Sequence, residues 1–311
     1  MNLKELFYRA QNMISPLKGA LSNSPALILN YHHIVPNNTP MHSLLYGYSH
    51  RQSSFESQLI WLSTNLKYST DFDAPQSFVI TFDDCSMSTY KLALPLLNKY
   101  GIKAYFFVVE SDLGNILWID KYFAWLSYVP KGNYKINDQS FKISDFDSRM
   151  RTHYALWKML PHEFSIDQML LRMDELHDFE QLFALLSDHK DRLHTIDVEE
   201  ISRLKNDGHF VGFHSQKHQQ LSTLSSEKLV LECSPRHREY YNCNTMAIPF
   251  GGPSDYNEVA LQELKRQGFE HILLNHPAHA RDNVYGRLNL PDTASKHEIR
   301  YKVSQYLNEI K

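Results

Sequence analysis

The sequence predicts an α/β fold built on a parallel sheet, closed as a barrel or open and doubly wound. Three observations predict it. Short unbroken apolar runs recur at the length of buried strands. Stretches with helical spacing lie between them, several opening on a capping residue and closing on glycine. The 311 residues, 42% hydrophobic and 22% charged, suffice for one large α/β domain or two small ones with a full core. The same composition excludes a disordered, collagen-like or coiled-coil chain.

In chain order, the apolar runs are residues 26–31 (ALILNY), 77–81 (SFVIT), 103–109 (KAYFFVV), 210–213, 245–248 and 271–274. The helices between them carry start and stop signals. Ser53 and Glu56 read as a capping box ahead of Leu59, Leu62 and Leu66. Residues 88–100 form the next helical stretch. Asp197 and Glu200 open a helix through Ile201 and Leu204 that stops at Gly208. Asp255 and Glu258 open another through Val259, Leu261 and Leu264 that stops at Gly268. The alternation breaks between about 113 and 195. That stretch is first rich in Trp, Tyr and Phe, then polar, then helical from Ile166 to Leu186. It predicts a mainly helical insertion with loops at 131–139 and 143–149. Residues 1–25 read as an N-terminal helical extension and 296–311 as a C-terminal helix.

Lys and Arg number 32 against 35 Asp and Glu, so no basic excess points to nucleic acid. The three cysteines, Cys85, Cys233 and Cys243, are odd in number and form no CxxC. That excludes a disulfide framework and a zinc ribbon and favours a reducing compartment. No apolar run has the length of a membrane span or a secretory h-region, which leads to an expected cytoplasmic location. Leu3, Leu6, Phe7, Ala10, Met13 and Ile14 share helical spacing. Such a helix docks on its own domain or makes peripheral membrane contact. The oligomeric state is not legible.

Two constellations carry chemistry, against a background of 17 histidines. Thr81-Phe82-Asp83-Asp84 ends the second apolar run, where α/β barrels place catalytic side chains. Adjacent carboxylates repel unless they share a proton or a cation, although either could instead cap the following helix. His214 and His218 follow another run at a spacing that suits two imidazoles on one divalent ion. Asp84, His214 and His218 together make a facial set of two histidines and one carboxylate, with open positions for water and substrate. Asp83 is then free to act as a base.

These residues resemble the motifs of the polysaccharide deacetylase family, carbohydrate esterase family 4. Its TFDD motif matches residues 81–84 and its H-S/T-x-x-H motif matches residues 214–218. A third motif matches Ala247-Ile248-Pro249-Phe250-Gly251, and the opening Tyr31-His32-His33-Ile34-Val35-Pro36 is also similar to that of bacterial members. The similarity covers about 26–112 and 196–291, on either side of the insertion. It implies a distorted (β/α)7 barrel over 26–295, interrupted by a helical insertion at 113–195. It implies a hydrolase that removes an N-acetyl group from an amino sugar in a polysaccharide or glycan precursor, releasing acetate. Asp84, His214 and His218 would hold one divalent metal, Zn2+ first, with Co2+, Ni2+, Mn2+ or Fe2+ as alternatives. Asp83 would be the base, and the Phe250 N–H would help bind the oxyanion. The partner is then an N-acetylated amino-sugar substrate. A formamide or ureide hydrolase and an inactive carbohydrate-binding relative remain alternatives.

The sequence departs from the family pattern in places. Cys85 stands where a glycine is usual, and Met246-Ala247 where an arginine often opens the third motif. Arg287 is the candidate to orient the base in its stead. His276, ahead of His279 and nearer the strand end, is the candidate general acid. Trp118, Tyr122 and Trp125 share a helical face that either seats the insertion on the barrel or forms a sugar-stacking wall.

Overall fold

Each apolar run lies beside the next. The computed structural model describes residues 4, 5, 7, 8, 24–41, 43–136, 138–159, 166–186 and 190–310. The first run is β1 (Leu27–Tyr31), buried along its whole length. A small parallel pair, β2 (His33–Val35) and β3 (Ser49–Arg51), stands beyond it. Then come α1 (Gln52–Asn65), β4 (Lys67–Tyr68), β5 (Ser77–Phe82), α2 (Met87–Lys99) and β6 (Tyr105–Val108). The insertion follows, with α3 (Trp118–Tyr128), β7 (Gly132–Ile136), β8 (Gln139–Ile143), α4 (Phe146–Met159), α5 (Ile166–Leu176), α6 (Phe179–Ala184) and α7 (Lys190–Leu193). The alternation resumes with α8 (Val198–Asn206), β9 (Phe210–Phe213), α9 (Ser226–Cys233), β10 (Thr245–Ala247), α10 (Glu258–Arg266) and β11 (His271–Leu273). The described chain ends with β12 (Val284–Tyr285), β13 (Leu288–Asn289) and α11 (Lys296–Glu309).

The large sheet runs β12-β11-β10-β9-β6-β5-β1-β13, with β4 added beside β5. Every ladder in it is parallel. Its two end strands are separated only by Gly286 and Arg287. One short stretch therefore pairs with β11 at its start and with β1 at its end, which curls the sheet round. Gly286 is required in that stretch, because a Cβ there would lie 2.3 Å from the Ala278 nitrogen. Counted as one strand, the stretch completes the expected (β/α)7 barrel. Parallel strands share one direction, so all their C-terminal ends open on the same mouth.

Several local expectations are corrected. Helix α1 begins at Gln52 after Arg51, so Ser53 is not its cap; the Ser53 N–H donates instead to Asn37 Oδ1 at 2.8 Å. Asn257 caps α10, while Asp255 accepts from the Gly252 N–H. The capping box of Asp197 and Glu200 forms as expected. Neither Asp83 nor Asp84 caps α2; Ser86 does. The loop expected at 131–139 is mostly the antiparallel hairpin β7–β8. Beyond it, the Ser144–Asp145 turn caps the start of α4.

The insertion begins and ends at one place. The Thr195 N–H donates to Asn115 O, the Gly114 N–H to Ile196 O and the Ile196 N–H to Cys85 O. Its interior is its own cluster, including Trp125, Ile136, Met169 and Met173. At the N-terminus, the rings of Phe7 and Tyr8 pack on Tyr301 of α11 at 5.9 and 5.2 Å, and the Tyr8 hydroxyl donates to Glu298. Leu3, Leu6, Ala10, Met13 and Ile14 lie outside the described residues. No helix among the described residues is long and apolar enough to cross a membrane.

Candidate active site

The chain leaves β5 through a turn that neither aspartate would choose alone. Asp84 and Cys85 both have positive φ, 64° and 49°, which L-residues with a side chain adopt at a cost. That explains the glycine usual at position 85. The left-handed pair turns both carboxylates onto the barrel mouth. Cys85 is buried, its thiol lies 3.3 Å from the Phe107 carbonyl, and burial pushes its pKa well up.

From β9, His214 and His218 reach the same point. His214 Nδ1 lies 2.8 Å from the Ala247 carbonyl, which fixes a proton on Nδ1 and leaves Nε2 as a lone pair. Ser215 and His218 are left-handed, and the His218 N–H donates to Ser215 Oγ at 2.9 Å. Asp84 Oδ1 lies 3.5 Å from His214 Nε2 and 3.4 Å from His218 Nε2. All three donor atoms fall within 4.8 Å of one another. Asp84 Oδ1 is buried and accepts no hydrogen bond. Donors bound tetrahedrally to one ion at about 2.0–2.2 Å stand about 3.4 Å apart, so this set fits a small divalent cation. Burial raises the pKa of Asp84, but the two imidazoles outweigh it and hold the carboxyl below its usual range.

Asp83 is held differently. Arg287, with no exposed surface, meets both of its oxygens, at 2.8 Å through Nη1 and 2.6 Å through Nη2. Asn30 Nδ2 donates to Oδ2 at 3.0 Å. The guanidinium is anchored in turn by Leu274 O, Asn30 Oδ1 and Thr81 Oγ1. Burial works to raise the Asp83 pKa, and the Arg287 charge overcomes it, so the group stays an anion.

Phe250 is half-buried, left-handed at φ 59°, and its ring lies edge-on to His218 at 4.6 Å. His276 is half-buried, with Nδ1 2.8 Å from the Gly251 carbonyl and its ring over Tyr256. Trp118 is buried, and its indole N–H donates to the His218 carbonyl. Trp125 is fully buried and donates to Met173 O. These two seat the insertion, and Trp118 also braces a ligand loop.

Other residues at the mouth were not singled out from the sequence. His32 leaves β1 half-buried, stacks on Tyr48 at 5.3 Å and is close enough to feel the charges of Asp84 and Asp83. Burial lowers its pKa. The adjacent pair His32-His33 was the signal. Glu232 of α9 accepts from the N–H groups of Lys217 and Gln219, at 2.9 and 3.1 Å. Nothing in its sequence context marks it.

A family model described as polysaccharide deacetylase matches residues 73–148. Poly-β-1,6-N-acetyl-D-glucosamine N-deacetylases of several Staphylococcus aureus strains are 32% identical over 120 residues. That match covers 32% of this chain and 41% of the relative, so it spans less than half of the curated protein. Among solved structures, the Streptococcus pyogenes deacetylase PplD in complex with acetate aligns with a TM-score of 0.55 at 15% identity, over 89% of this chain and 96% of that one. IcaB from Ammonifex degensii aligns at 0.53 and 15% identity, over 91% and 97%. These two establish a shared fold. Family match, relatives and fold point the same way: residues 73–148 are similar to the polysaccharide deacetylase family model, and most of the chain shares the fold of PplD and IcaB.

Proposed function

We propose that the chain is a metal-dependent N-deacetylase acting on a polymer of N-acetylated amino sugar, with poly-β-1,6-N-acetyl-D-glucosamine, the substrate named for its relatives, as the nearest candidate. The observation that carries the reading is the buried Asp84, His214 and His218 set beside an Asp83 clamped by Arg287. A divalent ion held by the three ligands, Zn2+ first, would supply Lewis acidity toward water and the acetamide carbonyl. Asp83 takes the proton of the attacking water, with Arg287 holding its carboxylate in one orientation. The Phe250 N–H helps hold the oxyanion, a kind of contact typically worth about 3–4 kcal/mol. The leaving amine needs a proton. His276 is the first candidate donor: the Gly251 carbonyl holds its Nδ1 and leaves Nε2 to carry the proton. His32 is the second candidate at the mouth, but burial lowers its pKa and so works against the protonated form.

The inactive-relative reading rested on Cys85 and the missing arginine. The thiol faces the Phe107 carbonyl, and Arg287 holds Asp83, so neither supports it. Peripheral membrane contact through the N-terminal helix has only its spacing behind it.

The test combines metal content with product analysis. Wild type should release acetate from N-acetyl oligomers, and His214→Ala should lose the ion. Asp83→Asn should keep the ion and lose about a thousandfold in kcat. Equal metal in wild type and His214→Ala would refute the site. Release of formate or ureide products in place of acetate would move the substrate. For the proton donor, His276→Gln should lose amide hydrolysis yet keep hydrolysis of an aryl acetate, whose leaving group needs no proton. The same pattern in His32→Gln instead would move the role to His32.

A further inference from the structure

Aromatic rings run outward from the ligand cluster in one line. His218 meets Phe250 at 4.6 Å, and Phe250 meets Trp157 at 5.3 Å. Trp157 meets His153 at 5.5 Å, and His153 meets Tyr154 at 5.3 Å. The last three belong to α4 of the insertion, with His153 and Trp157 one turn apart. Tyr154 is 58% exposed. Across the mouth, Tyr48 is 57% exposed, packs on His32, and is near enough to Tyr154 for the two phenols to be electrostatically coupled.

Trp157 differs from the other two tryptophans of the insertion. Trp118 and Trp125 are buried and donate their indole N–H to main-chain carbonyls. Trp157 is half-buried, stacks on Trp118 at 6.4 Å, and its N–H donates to no group among the described residues. A half-open indole beside an open phenol suits a ligand with an apolar face and hydroxyls at its edge. A pyranose ring has that shape.

We propose that Trp157 and Tyr154 form a track for the sugar units next to the one being deacetylated, so that this chain recognises an oligomer and not a single amino sugar. The identity of the sugar rests on the deacetylase reading; the track itself does not. The insertion thereby sets chain-length preference while the catalytic groups stay on the barrel.

Two measurements test it. In the first, kcat/KM is compared on monomeric, trimeric and pentameric β-1,6-linked N-acetylglucosamine. Wild type should prefer the longer chains, and the pentamer-to-monomer ratio should fall about tenfold in Trp157→Ala and in Tyr154→Ala. The second is the calorimetric Kd of the glucosamine pentamer, which carries no acetyl group and does not turn over; it should weaken about tenfold in both variants. Tyr154 is open enough that its truncation leaves the fold in place. A wild type that releases no acetate but loses pentamer affinity in both variants would end the deacetylase reading and keep the track. An unchanged ratio together with an unchanged Kd in Tyr154→Ala, or a wild type that binds no pentamer, would overturn the track.

Discussion

Arg287 carries the greatest charge burden of any residue at the mouth. It comes from the junction of β12 and β13, not from the motif where an arginine is usual, so only the gap at Met246 pointed toward it. The cluster of Asp84, His214 and His218 was legible because its members follow apolar runs at strand ends. Arg287 was named as the group to orient Asp83, but its anchoring was not legible, because Asn30, Thr81 and Leu274 come from three other segments. Its geometry makes a sharp prediction. Arg287→Lys puts a point charge where a planar fork met two oxygens, so kcat should fall about a hundredfold with metal content unchanged. Arg287→Ala strands a buried carboxylate, at a cost of about 3–5 kcal/mol, read as a lowered Tm. Full activity in Arg287→Lys would show that Asp83 needs a neighbouring charge but no fixed orientation.

Elements were readable where the signal was local and hidden where it was not. The strands of the barrel are continuous apolar runs, and their core needs no partner to be recognised. The hairpin strands GNYKI and QSFKI carry few apolar residues, so their pairing escapes a search for buried runs. The start of α1 is satisfied by Asn37, sixteen positions upstream, out of reach of any capping pattern. The loop of His214 and His218 is likewise braced from outside. Ser215 is within it, but Glu232 on α9, Glu110 through Gln216, and Trp118 on α3 are all remote in sequence. Glu232 accepts two backbone N–H groups of that loop. Its removal should loosen the ligands without dissolving the barrel. Glu232→Ala is expected to weaken metal affinity about 10- to 100-fold in a chelator competition, the usual penalty for losing a group that orients a ligand. Unchanged affinity would mean that the left-handed turns at Ser215 and His218 hold the loop unaided.

A buried ion pair inside the insertion stands where the insertion meets β2 and Leu45. Arg192 of α7 donates to Asp120 of α3 at 2.7 Å and to Leu45 O at 2.6 Å. His33 of β2 stands 3.7 Å from the same carboxylate. Burial pushes the Asp120 pKa up to about 6, with Arg192 recovering only part of the cost and the Asp84 charge adding to it. His33 is pressed well below its usual range by burial and stays neutral at pH 7, so it adds no second counter-charge. The folded chain therefore holds the Asp120 proton more tightly than the unfolded chain, whose carboxyl titrates near about 3.9. The sign follows from linkage: the contribution to stability is fully present below about pH 4 and is lost as the pH rises through about 6. Asp120→Asn removes that titration. Denaturant unfolding of both proteins, each stripped of metal so that the ligands do not confuse the comparison, should show wild type gaining on the variant by about 2–3 kcal/mol between about pH 7 and pH 4. A difference that stays flat with pH would mean that Arg192 fully compensates the carboxylate. The two ends of the insertion, α3 and α7, would then be joined by an ordinary ion pair, with nothing in the junction for acid to strengthen.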